Sequence, residues 1–284
     1  MNITPCQKAD VLIEALPYIK SFYNQTVVIK YGGNAMINEE LKRTVIQDIV
    51  LMKFVGMNPV VVHGGGPEIT DLMKVFGKEP EFVDGLRVTD KETMEITEMA
   101  LVGKVSREIV SLINLNGVKC IGISGKDGNM IKAKQKDPKL GLVGEIDFID
   151  TEIIETVTQK GYIPVISPIG VGENGETYNI NADEVAGNLA AALQAKKLVL
   201  ITDVQGVMMD YKNPETIISK IKSHEINGYI ENGVIQGGMI PKIKCCLEAV
   251  SKGVERAHII DGRKPHSILL EIFTDDGIGT MITE

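Results

Sequence analysis

Runs of mostly β-branched apolar residues recur along this chain, separated by stretches in which apolar positions return every three or four residues. The short runs lie at 27–29, 59–62, 118–124, 163–167, 198–202 and 257–260. Several are apolar at successive positions, where a strand wet on one face would alternate, so they predict strands covered on both faces. Between the second and third runs, Ile69, Leu72, Met73 and Phe76 fall at i, i+3, i+4 and i+7 behind Pro67. That spacing predicts an amphipathic helix with proline in its first turn. Thr89 and Glu92 have the spacing of a capping box ahead of a helical pattern that reaches about Asn114. The stretch 182–195 is rich in alanine and favours helix. Strands alternating with helices predict an α/β sandwich around a mainly parallel sheet.

Two segments interrupt that rhythm. Residues 129–134 and 142–148 read as a hairpin around Pro138 and Gly141, and 208–219 reads as a turn-rich excursion around Asn213-Pro214. No low-complexity linker or internal repeat divides the chain, which predicts one unit over 1–284 with room for two lobes. Ahead of the first strand, Val11, Leu12, Ala15, Leu16, Ile19 and Phe22 mark one face of a helix with Pro17 inside it. Proline lacks an N–H and clashes with the preceding turn, so a kink is expected. Periodicity alone leaves two readings open: a helix folded onto its own domain, or an arm that packs on another subunit.

Composition narrows the function classes. The chain is 44% hydrophobic, which is enough for a sizeable core, and its net charge of -8 comes without a dense Lys/Arg block. A nucleic-acid partner calls for a basic face, so none is expected. Anionic ligands would have to be held by a few placed cations. Cys6, Cys120, Cys245 and Cys246 include no C-x-x-C pair, which argues against a zinc site or a disulfide framework. Adjacent Cys245 and Cys246 read as packing residues. No signal-peptide pattern opens the sequence and no apolar run approaches about 18 residues. A reduced cytoplasmic protein with no membrane partner is therefore expected, and the Asn24-Gln25-Thr26 sequon is treated as chance.

The chemistry concentrates in glycine clusters: Lys30-Tyr31-Gly32-Gly33-Asn34, His63-Gly64-Gly65-Gly66-Pro67, and Gly237-Gly238-Met239-Ile240-Pro241-Lys242. The first two follow strands, and the third opens a helix. Glycine there lets backbone N–H groups approach an anion, and a helix N-terminus adds partial positive charge. One such cluster alone would read as a tight turn; two that carry a lysine and one triple glycine point to phosphate. The familiar alternatives are absent: no G-x-x-x-x-G-K-[ST], no G-x-G-x-x-G after the first strand, no protein-kinase set. His63 has no acidic partner in its motif and reads as structural. Asn179-Ile180-Asn181-Ala182-Asp183 could cap a helix or hold a polar ligand. Arg87, in Gly85-Leu86-Arg87-Val88-Thr89, could grip a carboxylate or simply face solvent.

The ordered set VVIKYGGNAM (27–36), VVVHGGGPEI (60–69), DGLRVT (84–89), NINADEVAGNLA (179–190), LITDVQGV (200–207) and GGMIPK (237–242) closely resembles the N-acetylglutamate kinases of the amino-acid kinase family. The resemblance covers nearly the whole chain and implies an open αβα sandwich. It implies acetylglutamate over an N-lobe, about 24–195, and ATP with Mg²⁺ over a C-lobe, about 196–284. By the same resemblance Lys30 and Lys242 meet the transferring phosphoryl group and Asp183 orients them. Gly32, Gly33, Gly64 and Gly65 supply backbone donors, with Gly238 beside the phosphates, while Arg87 and Asn179 hold N-acetyl-L-glutamate. The acceptor carboxylate, with a pKa near ~4.3, is already ionised at neutral pH and needs no general base. Shielding of two anions is the chemical requirement, and lysines with oriented N–H groups meet it. Magnesium would arrive with the nucleotide, so no all-protein metal site is expected.

The segment 1–23 also resembles the oligomerisation helix of the arginine-inhibited branch, which implies a homohexamer built as a trimer of dimers. Residues 266–280 resemble that branch's effector region, with His266, Glu271 and Gly277 as candidates for binding L-arginine. Two other readings stay open: a kinase for a related acid such as N-acetyl-aminoadipate, and a non-catalytic arginine-binding regulatory subunit. Retention of both Lys30 and Lys242 argues against the second.

Overall fold

The six apolar runs all become strands of one sheet. A computed structural model of the chain describes residues 4–274 and 277–284. Met1–Ile3 of the N-terminal arm and Asp275–Asp276 of the expected effector segment lie outside the described residues. Eight strands pair in the order Lys220–Lys222, Thr280–Thr283, Arg256–Asp261, Lys197–Thr202, Thr26–Tyr31, Asn58–His63, Ile163–Ser167, Cys120–Ser124. Every pairing is parallel except that of Thr280–Thr283 with Arg256–Asp261.

Neighbouring residues of each strand point into different layers, as strand geometry requires. Val28, Val60, Val62, Leu198 and Leu200 face the helices Ala182–Ala192 and Met239–Ser251. Val27, Ile29, Val61, Val199 and Ile201 face Glu39–Phe54, Ser106–Leu115 and Ser267–Ile272. Both faces are covered, so the expected αβα sandwich is the observed fold. The alanine-rich helix packs closely: a Cβ on Gly187 would stand 2.5 Å from Cys245 Sγ. Cys246 is fully buried, as a packing residue should be.

The sheet has a topological switch point. From Thr26–Tyr31 the chain moves to Asn58–His63 and on toward the Cys120–Ser124 edge. It then returns to the other side of the first strand at Lys197–Thr202. At such a point the carboxyl ends of adjacent strands open a crevice, where ligands of open α/β sheets sit.

The expected hairpin exists as Ile131–Gln135 and Gly144–Ile149, antiparallel, inside a smaller sheet with Ile169–Val171 and Thr177–Asn179. The 208–219 excursion is a Met208–Ile217 bridge around the turn Pro214–Thr216. Two local expectations need correction. Asp90, not Thr89, caps Lys91–Glu98, accepting from the Thr93 amide at 2.8 Å. Thr89 instead donates its hydroxyl to the Arg87 carbonyl and bridges Gly141. The long helix also contains a π-helical stretch, Met99–Val105, which apolar periodicity did not predict.

The N-terminal segment is two helices, Pro5–Glu14 and Leu16–Phe22, with the break at Ala15 and Pro17 in the first turn of the second. A capping box between Thr4 and Gln7 starts the first. Phe22 is buried and Tyr18 meets Phe273 edge-on. Val11, Leu12 and Ile13 are 58–70% exposed, so the apolar face of the first helix is left largely uncovered by the described residues.

Candidate active site

Lys30 stands near the carboxyl end of the first strand, beside the switch point. Asp183 comes from the first turn of Ala182–Ala192, a turn fixed by Asn181, whose side chain accepts from the amides of Asp183 and Glu184. Lys242 comes from the first turn of Met239–Ser251. These elements bring Lys30 Nζ to 3.1 Å from Asp183 Oδ1 and Lys242 Nζ to 2.5 Å from Asp183 Oδ2. Two ammonium groups would repel each other; one carboxylate between them holds both. Burial pushes the Asp183 carboxyl up, but Lys30 and Lys242 overcome that and hold it below its usual range. Cys245 Sγ–H donates to the Asp183 carbonyl at 2.8 Å, tying the two helices at this point.

The lysines open onto a cavity of about 590 Å³ between Thr202–Gly206, Val207–Tyr211 and Val234–Met239. Its lining is apolar at Ile201, Val207, Met208 and Val234 and also includes Lys30, Lys242, Gly33 and Gly238. A flat apolar group with an anionic tail would suit such a mixed lining. Gly238 caps the N-terminus of Met239–Ser251, so the helix dipole adds positive potential there. Asp203 supplies the acid of this lining. Gly33 must be glycine twice over: its φ is +70°, and a Cβ would meet the Asp203 carboxylate at 2.5 Å. Gly32 lies against Lys30, whose Nζ would be 2.8 Å from an added Cβ.

Across the first strand, the second glycine turn opens Gly66–Val75. Gly64 donates its N–H to the Tyr31 carbonyl at 2.8 Å, so that amide ties the turn to the end of the first strand. A Cβ on Gly65 would collide with Leu101, 2.5 Å away, in the π-helical stretch. His63 is fully buried between the Gly64 carbonyl and Ser167 Oγ, and burial pushes its imidazole down to about 4. That is a neutral structural histidine, as expected.

Arg87 is not at the surface. It is 7% exposed on the short hairpin Phe82–Val83/Leu86–Arg87. Its Nη2 donates to the Gly66 carbonyl at 2.9 Å and to Thr70 Oγ1 at 2.8 Å, and Nη1 lies 3.2 Å from Met73 Sδ. Phe82 packs its ring 4.7 Å from the guanidinium carbon. Among the described residues no carboxylate pairs with it. Asn179 ends the strand Thr177–Asn179 and donates to Thr89 Oγ1 at 3.2 Å. Because Asn181 does the capping, the side chain of Asn179 is not consumed by the helix start.

Of the expected effector residues, Glu271 and Gly277 lie together, while His266 turns to another partner. His266, in left-handed conformation, reaches Asp48 Oδ1 on Glu39–Phe54 at 2.6 Å. Glu271 instead meets His258 Nδ1 at 2.6 Å and accepts from the Ile278 amide at 3.0 Å. Gly277 lies close to Glu271, since an added Cβ would stand 2.9 Å from its Oε2. Glu271 lines a separate cavity of about 270 Å³ with Tyr18, Ser21, Lys197 and Arg256. His258 and Lys197 were not singled out in the sequence because each sits in an apolar strand that reads as core. Asp203, Tyr211 and Gln236 of the cavity lined by both lysines were not named as site residues either, although Asp203 lies within the motif LITDVQGV (200–207).

Residues 25–261 match the family described as Amino acid kinase family. The chain is 71% identical over 283 residues to the acetylglutamate kinase of Alkaliphilus metalliredigens, spanning 100% of this chain and 90% of that protein. Among solved structures, N-acetylglutamate synthase from Neisseria gonorrhoeae, complexed with coenzyme A and N-acetyl-glutamate, superposes with a TM-score of 0.84 at 26% identity. That match covers 97% of this chain but only 63% of the synthase. The same synthase complexed with coenzyme A and L-arginine gives 0.80 at 25% identity, covering 97% of this chain and 65% of the synthase. Carbamate kinase from Giardia lamblia shares the fold, with a TM-score of 0.67 at 19% identity over 92% of this chain and 99% of its own. With a family match that runs from the entry to the first strand through Arg256–Asp261, and a curated relative alike over the full length, the chain belongs to the amino acid kinase family of phosphotransferases.

Proposed function

We propose that this chain transfers the γ-phosphoryl group of ATP to the γ-carboxylate of N-acetyl-L-glutamate, giving ADP and N-acetylglutamyl 5-phosphate, a step in arginine biosynthesis. The observation that carries the reading is the convergence of Lys30 and Lys242 on Asp183 beside the 590 Å³ cavity that both lysines line. Support comes from the relatives named acetylglutamate kinase along the whole chain.

In this reading ATP lies in the C-lobe, about 196–284, with its phosphates toward Gly32, Gly33 and Gly238. Acetylglutamate lies on the N-lobe, about 24–195, between the Gly64-Gly65 turn, Arg87 and Asn179. Mg²⁺ enters with the nucleotide and neutralises phosphate charge. A buried guanidinium without an acidic partner is costly unless an anion completes it, which suits a substrate carboxylate. The two lysines lower the repulsion between acceptor carboxylate and γ-phosphate and stabilise the phosphoryl group in flight. No proton needs removal from an ionised acceptor. Rates of ADP release on acetylglutamate, its one-carbon-longer analogue and free glutamate test this assignment. Acetylglutamate should be preferred by kcat/KM; preference for the longer acid would move the reading to an aminoadipate kinase.

Feedback inhibition by L-arginine, and assembly as a hexamer of three dimers, are part of the same proposal. The Glu271 carboxylate in the smaller cavity offers a partner for a guanidinium or ammonium, beside Tyr18 of the N-terminal helices. The geometry favours His258 over His266 as the histidine of that site. The exposed apolar face of Pro5–Glu14 favours an assembly contact.

A further inference from the structure

Arg87 is more than a ligand on a hairpin; its contacts join two separate pieces of the acceptor site. The hairpin Phe82–Val83/Leu86–Arg87 is a small sheet of its own, and the Val88 amide closes it on the Glu81 carbonyl at 2.9 Å. The glycine turn after Asn58–His63 belongs to the large sheet and its helix Gly66–Val75. The guanidinium spans the gap. Nη2 spends both of its N–H donors on the helix, one on the Gly66 carbonyl of the first turn and one on Thr70 Oγ1 a turn later. Gly66 and Thr70 are four residues apart, so they lie one above the other on the same helix face. The remaining contacts are Met73 Sδ at Nη1 and the Phe82 ring over the plane.

A guanidinium has five N–H donors in a rigid fork, and here three are engaged by the protein. The plane cannot rotate freely while Nη2 is held at two points and Phe82 covers one side. Its unspent N–H groups therefore keep one direction before any ligand arrives. Preorganisation of this kind lowers the ordering cost of binding.

We infer that Thr70 is a positioning residue for Arg87: its hydroxyl fixes the guanidinium plane so that the unspent N–H donors meet the acceptor's carboxylate, and it touches no reacting atom itself. The inference rests on the proposed acceptor role of Arg87. Removing the Thr70 hydroxyl leaves Arg87 charged and buried, with Nη2 held at one point, the Gly66 carbonyl, where it had two, so its plane is less firmly fixed. The nucleotide cavity lies on the other side of the first strand and does not include Thr70.

The test is steady-state kinetics on Thr70→Val, Thr70→Ser and Arg87→Ala, and on the double variant Arg87→Ala/Thr70→Val, with ATP and acetylglutamate. Valine keeps the shape, so thermal unfolding should stay near that of the parent. Thr70→Val should raise the acetylglutamate KM roughly tenfold, in the range of one lost charge-assisted hydrogen bond, and leave the ATP KM within about twofold. Thr70→Ser should return the acetylglutamate KM to within about twofold of the parent. On the Arg87→Ala background, Thr70→Val should add nothing, because the group it orients is gone. An unchanged acetylglutamate KM in Thr70→Val, with Arg87→Ala raised, would overturn the positioning role and leave the acceptor site intact. Equal loss from Thr70→Val with and without Arg87 would also overturn it. An unchanged KM in Arg87→Ala would instead strike the acceptor assignment on which both rest.

Discussion

Asp183 meets opposing demands: it is buried, and it stays charged. Burial alone pushes its carboxyl up, and the two lysines reverse that. The sign follows for pH. A carboxyl held below its unfolded value adds stability that is complete above about pH 4 and is lost only as pH falls through the depressed folded value. The kcat profile should therefore show no acid limb from Asp183 between pH 5 and neutrality. Asp183→Asn should reduce kcat roughly 100-fold, because the lysines then repel each other and lose their placement, with a smaller change in either KM. A kcat within a few-fold of the parent would show that the lysines find their positions without it. Lys30, Lys242 and Asp183 were legible in the sequence through their motifs. His258 was not, because a side chain that closes a site from a buried strand looks like core until the fold brings its partner near; Asp203 stands in the bend after Lys197–Thr202, where nothing local marks an exposed acid as part of a site.

Helices and strands carried by apolar periodicity came out where the pattern placed them; the exceptions have local causes. Thr89 fits a capping box by spacing, yet its hydroxyl turns to the Arg87 carbonyl and the adjacent Asp90 takes the amide. The π-helical Met99–Val105 keeps Leu101 and Val105 beside Gly65, a tertiary demand that the 3.6-residue period cannot announce. The N-terminal pair of helices shows the limit most clearly, since periodicity predicts an apolar face but not its cover. Val11, Leu12, Ile13 and Leu16 stand in water within one chain, and covering them is worth about 25 cal/mol per Å². Deleting residues 1–23 should convert the proposed hexamers to active dimers in sedimentation velocity and weaken the proposed arginine inhibition by roughly 10-fold or more, within the usual span of coupling energies. Glu271→Ala should keep the hexamer and raise the arginine concentration needed for half-inhibition. A truncated form that sediments unchanged would remove the arm from the assembly, and a fully arginine-sensitive Glu271→Ala would move the effector elsewhere.

The switch point organises the whole molecule. Because the chain leaves the first strand in one direction and returns on the other side, the Gly64-Gly65 turn and the cavity proposed for the nucleotide flank Lys30 from opposite sides. Phosphoryl transfer needs two anions to meet over one cluster of cations, and this topology supplies that meeting place. The parallel strand order itself could not be read from the sequence; alternating apolar runs fix the layers, while the order depends on which crossover passes where. The measurement closest to the central claim is trapping of the product. ATP, Mg²⁺ and N-acetyl-L-glutamate incubated with the protein and hydroxylamine should yield the γ-hydroxamate of acetylglutamate in step with ADP. ADP release without hydroxamate, or neither product from a folded protein that binds ATP, would contradict transfer to the acceptor's carboxylate.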